Sequence, residues 1–277
     1  MAFSVLVLTL NEEANLPACL ESVCGLDDVV VVDSGSTDRT REIAEAAGAR
    51  VLVNPFESFA QQQNWALDNA EFRHRWVFYL DADERLTPQL RDEMSLVARD
   101  EAETRVAFYA GRRNFFRGRW LRFAMPAGNI LRFFRTRGVR FEQRGHGPVP
   151  TINGEHGYLD HRFDHHNFSK GVVEWLERHA RYARQEAGET IRAIGDRPLR
   201  LQNFFAADRQ TRRAELKNLA LRLPGRPLVK FCYLYVLRLG VLDGRAGFTY
   251  CVLQAIYEYM TVQHLKEIRR TARDKPL

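Results

Sequence analysis

Cysteine is scarce and scattered: Cys19, Cys24, Cys232 and Cys251 are the four in 277 residues, and no two form a Cys-x-x-Cys pair or stand at zinc-ligand spacing. That argues against a disulfide framework or a structural metal knuckle and suits a reducing compartment. Two familiar phosphate loops are missing as well. No Gly-x-Gly-x-x-Gly follows the first strand-like segment and no Gly-Lys-Ser or Gly-Lys-Thr occurs, so dehydrogenases and P-loop NTPases fall away. Internal repeats and low-complexity tracts are also absent. The apolar opening, Phe3 to Leu10, has no basic leader and runs straight into Asn11-Glu12-Glu13, which reads as a buried strand and not as a signal peptide.

What remains is an ordinary globular composition with a formal charge of +6. Positive potential suits nucleic acid, anionic lipid or a phosphorylated small molecule, and its placement along the chain must choose among them. The first third alternates strand and helix patterns. Phe3 to Leu10 is a continuous apolar run, and Leu16, Cys19, Leu20 and Val23 recur at helical spacing until Gly25. Val29 to Val32 is β-branched, Arg39 to Ala47 is helical up to Gly48, Val51 to Val53 is a short strand, and a helix spans about Phe59 to Ala70. Trp76 to Leu80 is a further strand, after which Thr87 as N-cap and Pro88 at the first helical position open a helix to about Ala98. Such alternation implies an α/β fold with a mainly parallel sheet, because parallel neighbours need crossovers.

Parallel sheets place ligands beyond the carboxyl ends of their strands. Those ends carry Thr9-Leu-Asn-Glu12, Asp33-Ser-Gly-Ser-Thr-Asp38 and Asp81-Ala-Asp-Glu84, three polar segments expected to converge. Asp81 and Asp83, two apart in an extended segment, point the same way and offer hard oxygen donors to Mg or Mn, which bind through one or two carboxylates plus substrate phosphates. An acidic turn before a helix is the plainer reading of the same residues. Asp33 can accept the imide N–H of a uracil or thymine ring, whereas Ser36, Thr37 and Asp38 read as helix-start residues.

In this order and spacing, Thr9-Leu-Asn-Glu-Glu13, Val31-Val-Asp-Ser-Gly-Ser-Thr-Asp38 and Leu80-Asp-Ala-Asp-Glu84 resemble the family 2 glycosyltransferases of GT-A fold. The resemblance is closer to the bacterial lipopolysaccharide-core and exopolysaccharide branch through Arg113-Asn-Phe-Phe116, Phe141-Glu-x-Arg-Gly-His-Gly147, His166-Asn-Phe-Ser-Lys-Gly171, Trp175-Leu-Glu-Arg-His179 and Leu242-Asp-Gly-Arg-Ala-Gly247. It implies a nucleotide-sugar donor whose base is held by the backbone at Thr9 and Leu10 together with Asp33, Glu12 lining the same pocket. Asp81 would lie near the ribose and phosphates, and Asp83 would ligate a divalent metal. It further implies an inverting transfer to a glycan or a polyprenyl or other lipid-linked acceptor, in cell-surface polysaccharide or lipopolysaccharide synthesis.

An inverting transfer needs a base for the acceptor hydroxyl. Related sequences carry a Val-His-Glu-like motif, but Arg144-Gly-His-Gly-Pro148 keeps His146 and puts Gly147 where the carboxylate would stand. His146 is therefore the first candidate, with Glu142 or Asp164 to orient it or to act in its place. His156, His161, His165 and His166 match no recognised metal motif and read as ordinary loop or strand histidines. Residues 112–144 hold ten arginines and one acid, interleaved with aromatics. Arginine forks serve phosphate, and aromatics serve bases or lipid interfaces, so Arg113 and Arg132 are assigned to donor or phosphate contact. A basic non-catalytic or RNA-binding protein on the same fold is the rival, although no recognised RNA-binding motif accompanies the patch and nucleic acid is not the expected partner.

From Pro227 the chain turns apolar, and Leu228 to Leu242 and Ala246 to Met260 read as two helices joined by a turn. Each is short and interrupted by charge, at about 2.5 to 3.5 kcal/mol per ionic residue at a bilayer centre, so an amphipathic pair lying in the interface is expected and not a span. A helical hairpin packed on protein is the alternative. The organisation expected is a GT-A core over 1–110, an acceptor-side region over 111–170 and a helical, membrane-associating region over 171–277. That places the chain in the cytoplasm, peripheral on the inner face of the plasma membrane.

Overall fold

The computed structural model describes residues 3–271 apart from 126, 145, 146, 197, 221, 223 and 224, and gives the backbone alone for 144, 193–196 and 217. The chain divides into two compact units, Met1–Trp120 with Pro126–Ser169, and Leu121–Met125 with Lys170–Leu277.

In the first unit the elements run β1 (Ser4–Thr9), α1 (Leu16–Ser22), β2 (Val29–Asp33), α2 (Thr40–Ala46), β3 (Arg50–Val53), α3 (Phe59–Asn69), β4 (Trp76–Asp81), β5 (Glu84–Arg85) and α4 (Pro88–Arg99). Then come β6 (Ala107–Phe116), β7 (Arg119–Trp120), β8 (Asn129–Arg135), β9 (Val139–Arg144), β10 (Gly147–Ile152) and β11 (His156–His165). The main sheet has the order β3-β2-β1-β4-β8-β6-β11-β5, with β7 paired to β6, and β9 with β10 forms a separate hairpin. Pairings are parallel from β3 through β4 and again between β6 and β11; β8 enters antiparallel between them. Residues 111–170, expected as the acceptor-side region, contribute the end of β6 and strands β7, β8 and β11 to this same sheet.

Alternation along the strands fills two cores. Val5 and Val7 of β1 pack with α1, α2 and α4, while Leu6 faces the opposite core with Ala60 and Ala66 of α3 and Phe141 of β9. Helix α4 begins as its sequence dictates: the Thr87 hydroxyl accepts from the Leu90 N–H, and Pro88 fills a position whose N–H would have no partner. The β9–β10 hairpin is held to α3 by Asn64, whose amide donates to the Phe141 carbonyl at 2.8 Å and accepts from its N–H at 3.0 Å.

The second unit is helical: α5 (Gly171–Asp196), a 3-10 turn at Leu201–Phe205, α6 (Arg209–Ala220), α7 (Arg226–Cys232) and α8 (Gly244–Thr271). Helices α5 and α8 meet through aromatics. His179 stacks on Trp175 with ring centroids 3.6 Å apart and meets Tyr257 edge-on at 5.1 Å, and the Tyr257 hydroxyl donates to Glu186. The expected helix Leu228 to Leu242 is not continuous: α7 gives way to a π-helical turn at Tyr233–Leu237 and a 3-10 turn at Gly240–Asp243. The reason lies at the reversal, where Leu239 takes a left-handed φ of 59° and a Cβ on Gly240 would meet the Leu234 carbonyl oxygen at 2.6 Å. Asp243 fixes the segment that joins this unit from upstream, accepting the N–H groups of Arg122, Phe123 and Ala124 at 3.0, 3.0 and 2.8 Å. No helix among the described residues is long and apolar enough to cross a membrane.

Candidate active site

The three polar segments do converge, because parallel pairing sets Thr9 beside Asp33 and Leu8 beside Asp81. The first two loops lock together. Asn11, at a φ of 54° that asparagine tolerates, donates its N–H to the Ser36 hydroxyl and accepts the Thr37 N–H, each at 2.8 Å. The Glu12 N–H donates to the Thr40 hydroxyl at 2.7 Å, and the Glu12 carboxylate accepts from Asn15 at 2.7 Å. Leu10, next to these contacts, is exposed.

Asp33 is fully buried beneath those loops. It accepts from the hydroxyls of Thr9 and Ser36 and from the N–H groups of Gly35 and Ser36. Both oxygens are therefore engaged, and an imide N–H would have to displace a loop contact. In this state the Asp33 carboxylate shapes the loop between β2 and α2.

At the end of β4, Tyr79 and Asp81 share a face, and the Tyr79 hydroxyl donates to Asp81. Arg132 of β8 reaches Asp81 at 2.7 Å and Glu84 at 2.6 Å, its guanidinium 4.6 Å from the Tyr79 ring centroid. Burial pushes the Glu84 carboxyl up to about 7, against the pull of Arg132 and with the Asp81 charge adding to the rise. Burial opposes the charge on Arg132, but Asp81 and Glu84 more than offset it and hold the guanidinium charged. Arg132, expected at donor or phosphate contact, lies buried between two carboxylates that it orients, and it also lines the cavity beside them. Beside this group is a cavity of about 440 Å³ with aromatic walls at Phe59, Tyr109 and Phe141 and polar ones at Asp81, Asn129 and Arg132.

Asp83 sits one turn further on, and its carbonyl accepts the His166 N–H at 2.8 Å. His165, at the end of β11, places Nε2 3.4 Å from the Asp83 carboxylate and Nδ1 2.9 Å from the Asn114 side-chain oxygen. Because that oxygen only accepts, the neutral ring carries its proton on Nδ1 and turns the Nε2 lone pair toward Asp83. Two acceptors facing each other make a place for a cation, and the carboxylate and imidazole pair suits Mg or Mn completed by phosphate oxygens and water. Among the described residues no three His, Cys, Asp or Glu side chains gather as a metal-holding group. His165 was read from sequence as an ordinary strand histidine. The signal that finds it is the β11–β5 pairing, which sets His165 beside Glu84.

Of the candidate bases, His146 lies outside the described residues. Glu142 is exposed on β9, opposite Val149. Asp164 is paired: Arg113 grips it through Nε at 2.5 Å and a second nitrogen at 2.9 Å, so each carboxylate oxygen already accepts one hydrogen bond. The same pair occupies Arg113, which was expected on the donor. Part of the basic stretch is paired within the protein, while Arg117, Arg119, Arg122, Arg137 and Arg140 are exposed. Arg135 donates to the Glu103 carbonyl and lies over Trp76, Arg140 meets Asp68 at 2.8 Å, and burial pushes the Arg112 guanidinium down.

The site thus stands on a mainly parallel α/β sheet, with an Asp-x-Asp following its central strand β4. Residues 4–152 match the model of glycosyl transferase family 2, more than half of the chain, and the chain belongs to that family. Among its relatives, an uncharacterized glycosyltransferase of Rickettsia bellii is 36% identical over 107 residues, 38% of this chain and 36% of that protein. The lipopolysaccharide core biosynthesis glycosyltransferase LpsC of Rhizobium meliloti is 38% identical over 108 residues, 36% of this chain and 39% of that protein. The chain spans little more than a third of the length of these curated relatives. Among solved structures, glucosyl-3-phosphoglycerate synthase from Mycobacterium tuberculosis with Mn2+, UDP-glucose and phosphoglyceric acid aligns at 25% identity over 40% of this chain and 43% of that one, with a TM-score of 0.33.

Proposed function

We propose that this chain is an inverting glycosyltransferase. It moves a sugar from a nucleotide-sugar donor to a glycan or lipid-linked acceptor, in cell-surface polysaccharide or lipopolysaccharide assembly at the inner face of the plasma membrane. The observation that carries the reading is the meeting of Asp83 and His165 beside Asp81, at the strand ends where the loops of β1 and β2 also close.

Donor phosphates belong at Asp83 and His165, with the base over the loop that Asp33 shapes and the transferred sugar toward the mixed aromatic and polar cavity beside Asp81. Asp83 and His165 would hold a divalent cation, whose charge would offset that of the departing diphosphate. Arg132 keeps Asp81 and Glu84 in place, and Tyr79 fixes the Asp81 rotamer through its hydroxyl. In the transfer the acceptor oxygen bonds to the anomeric carbon as the bond from that carbon to the diphosphate breaks. The hydroxyl proton passes to a base on the β9–β10 hairpin, for which Glu142 and His146 are the candidates.

Calorimetric titration with UDP, GDP and dTDP, each with Mn and with EDTA, tests the reading. One nucleotide should bind in a metal-dependent way, and Asp83→Ala and His165→Ala should each remove the metal-dependent part. Absence of binding by all three nucleotides would sink the proposal.

A further inference from the structure

Between Leu228 and Phe248 the helical unit turns large apolar side chains to solvent. Leu228, Val236, Leu237, Leu239, Leu242 and Phe248 are all exposed, Leu237 to 75% and Leu228 to 67%. Ring contacts join the elements that carry them: Phe231 of α7 stacks on Tyr235 of the π-helical turn with centroids 5.2 Å apart, and Phe248 from the start of α8 meets both rings edge-on at 5.9 and 5.6 Å. A contiguous apolar surface of this kind marks an interaction site.

Its apex is strained. Leu239 holds a left-handed backbone that a γ-branched residue rarely adopts, in the reversal between the π-helical turn and the 3-10 turn. Strain and exposed leucines at one reversal point to a role outside folding.

Charge identifies the occupant. Arg222, Lys230, Arg238 and Arg245 lie in the same stretch, and the one acid in residues 222–257, Asp243, is buried with its oxygens on three backbone N–H groups. Glu258, the next acid, pairs with Arg226 at 2.5 Å. A two-fold contact between copies would set this basic rim against itself. An anionic bilayer accepts both parts, the leucines entering below the headgroups and the basic side chains reaching up to them.

We propose that the surface from Leu228 to Phe248 docks on an anionic lipid bilayer, without spanning it. The proposal deepens the reading above, since it names where a lipid-linked acceptor is met, but its physics stands on the helical unit alone.

The test is co-sedimentation of the full chain with vesicles of phosphatidylcholine and of phosphatidylcholine with about one-third phosphatidylglycerol. Partition should be at least about tenfold stronger on the anionic vesicles and should fall with salt. Leu237→Asp should weaken it about tenfold or more, Leu242→Asp serving as a second variant should the first fail to fold. The pair Lys230→Glu and Arg238→Glu should reduce anionic binding to the phosphatidylcholine level. No binding by the unaltered chain overturns the proposal, as does undiminished binding by both leucine variants. A dimer that Leu237→Asp dissolves, seen by sedimentation velocity without vesicle binding, overturns it in favour of a second copy. Nucleotide titration on the same samples reads the transferase proposal separately: its failure with vesicle binding intact supports the surface and overturns only the other reading.

Discussion

Replacing Arg132 by methionine isolates the group that organises the site. Methionine keeps most of the volume and removes the charge, which now sits 2.7 Å from Asp81 and 2.6 Å from Glu84 at 4% exposure. Glu84 is then left fully buried, with its other oxygen accepting the Asp81 N–H at 3.0 Å and its paired guanidinium gone. Removing one partner of a buried pair costs about 3 to 5 kcal/mol, a large share of the roughly 5 to 15 kcal/mol that holds a domain folded. Arg113→Met is the control. It breaks an equally close pair with Asp164, but one whose partners keep 34% and 19% exposure, so water screens the charge and the loss should be about 1 kcal/mol. Urea denaturation of both variants gives the comparison, and adding Glu84→Gln to Arg132→Met should recover more than half of the loss, because the stranded charge is then gone. A loss below about 1 kcal/mol for Arg132→Met, or an equal loss for both arginines, refutes the reasoning.

Three further outcomes are expected. Burial holds the His179 ring down to about 4 against 6.5 for an exposed histidine, so between those values the unfolded chain binds a proton that the folded chain does not. Stability contributed by neutral His179 is complete above pH 6.5 and falls with acidification, by about 1.4 kcal/mol per pH unit and about 2 kcal/mol at pH 5. Denaturation of His179→Phe, which keeps the stack on Trp175, should lack that part of the slope, and an unchanged slope would rule out His179 as its source. Asp243→Ala strands three N–H groups and should cost about 3 kcal/mol or more, opening residues 121–125 to protease; full protection there would contradict the clamp. Gly247→Ala drives a methyl into the Gly240 carbonyl and should lower stability by about 1 to 3 kcal/mol, whereas a neutral thermal melt would show that the turn yields freely.

The parts of this fold that could be read in advance are those whose cause is local. The β-branched run of β2 and the Thr87-Pro88 start of α4 each follow from neighbours in sequence. The convergence of the Asp33 and Asp81 loops needed one further step, that parallel strands end on the same edge. What escaped depends on distant pairing. His165 faces Asp83 because β11 runs antiparallel to β5, and nothing in the spacing of the histidines encodes that register. The arginines of residues 112–144 looked like a solvated or substrate-facing patch, whereas Arg132, Arg113 and Arg135 turn inward to partners tens of residues away. The apolar stretch after Pro227 has helical composition throughout, but close approach at Gly240 breaks it in a way composition does not register.

The Asp243 clamp bears on how this chain can be made and cut. Because Leu121–Met125 belongs to the helical unit, the polypeptide enters that unit, leaves it at Pro126 to complete the sheet with β8 and β11, and returns at Lys170. A ribosome therefore delivers the five-residue segment well over a hundred residues before the aspartate that receives it, and the helical unit cannot close until Asp243 has emerged. A gene fragment that starts at residue 170 would lack buried Leu121 and Ala124 and should not finish folding by itself. Exchange of the C-terminal half between relatives, if it is to yield a working chimera, must carry the stretch after β7 along with it.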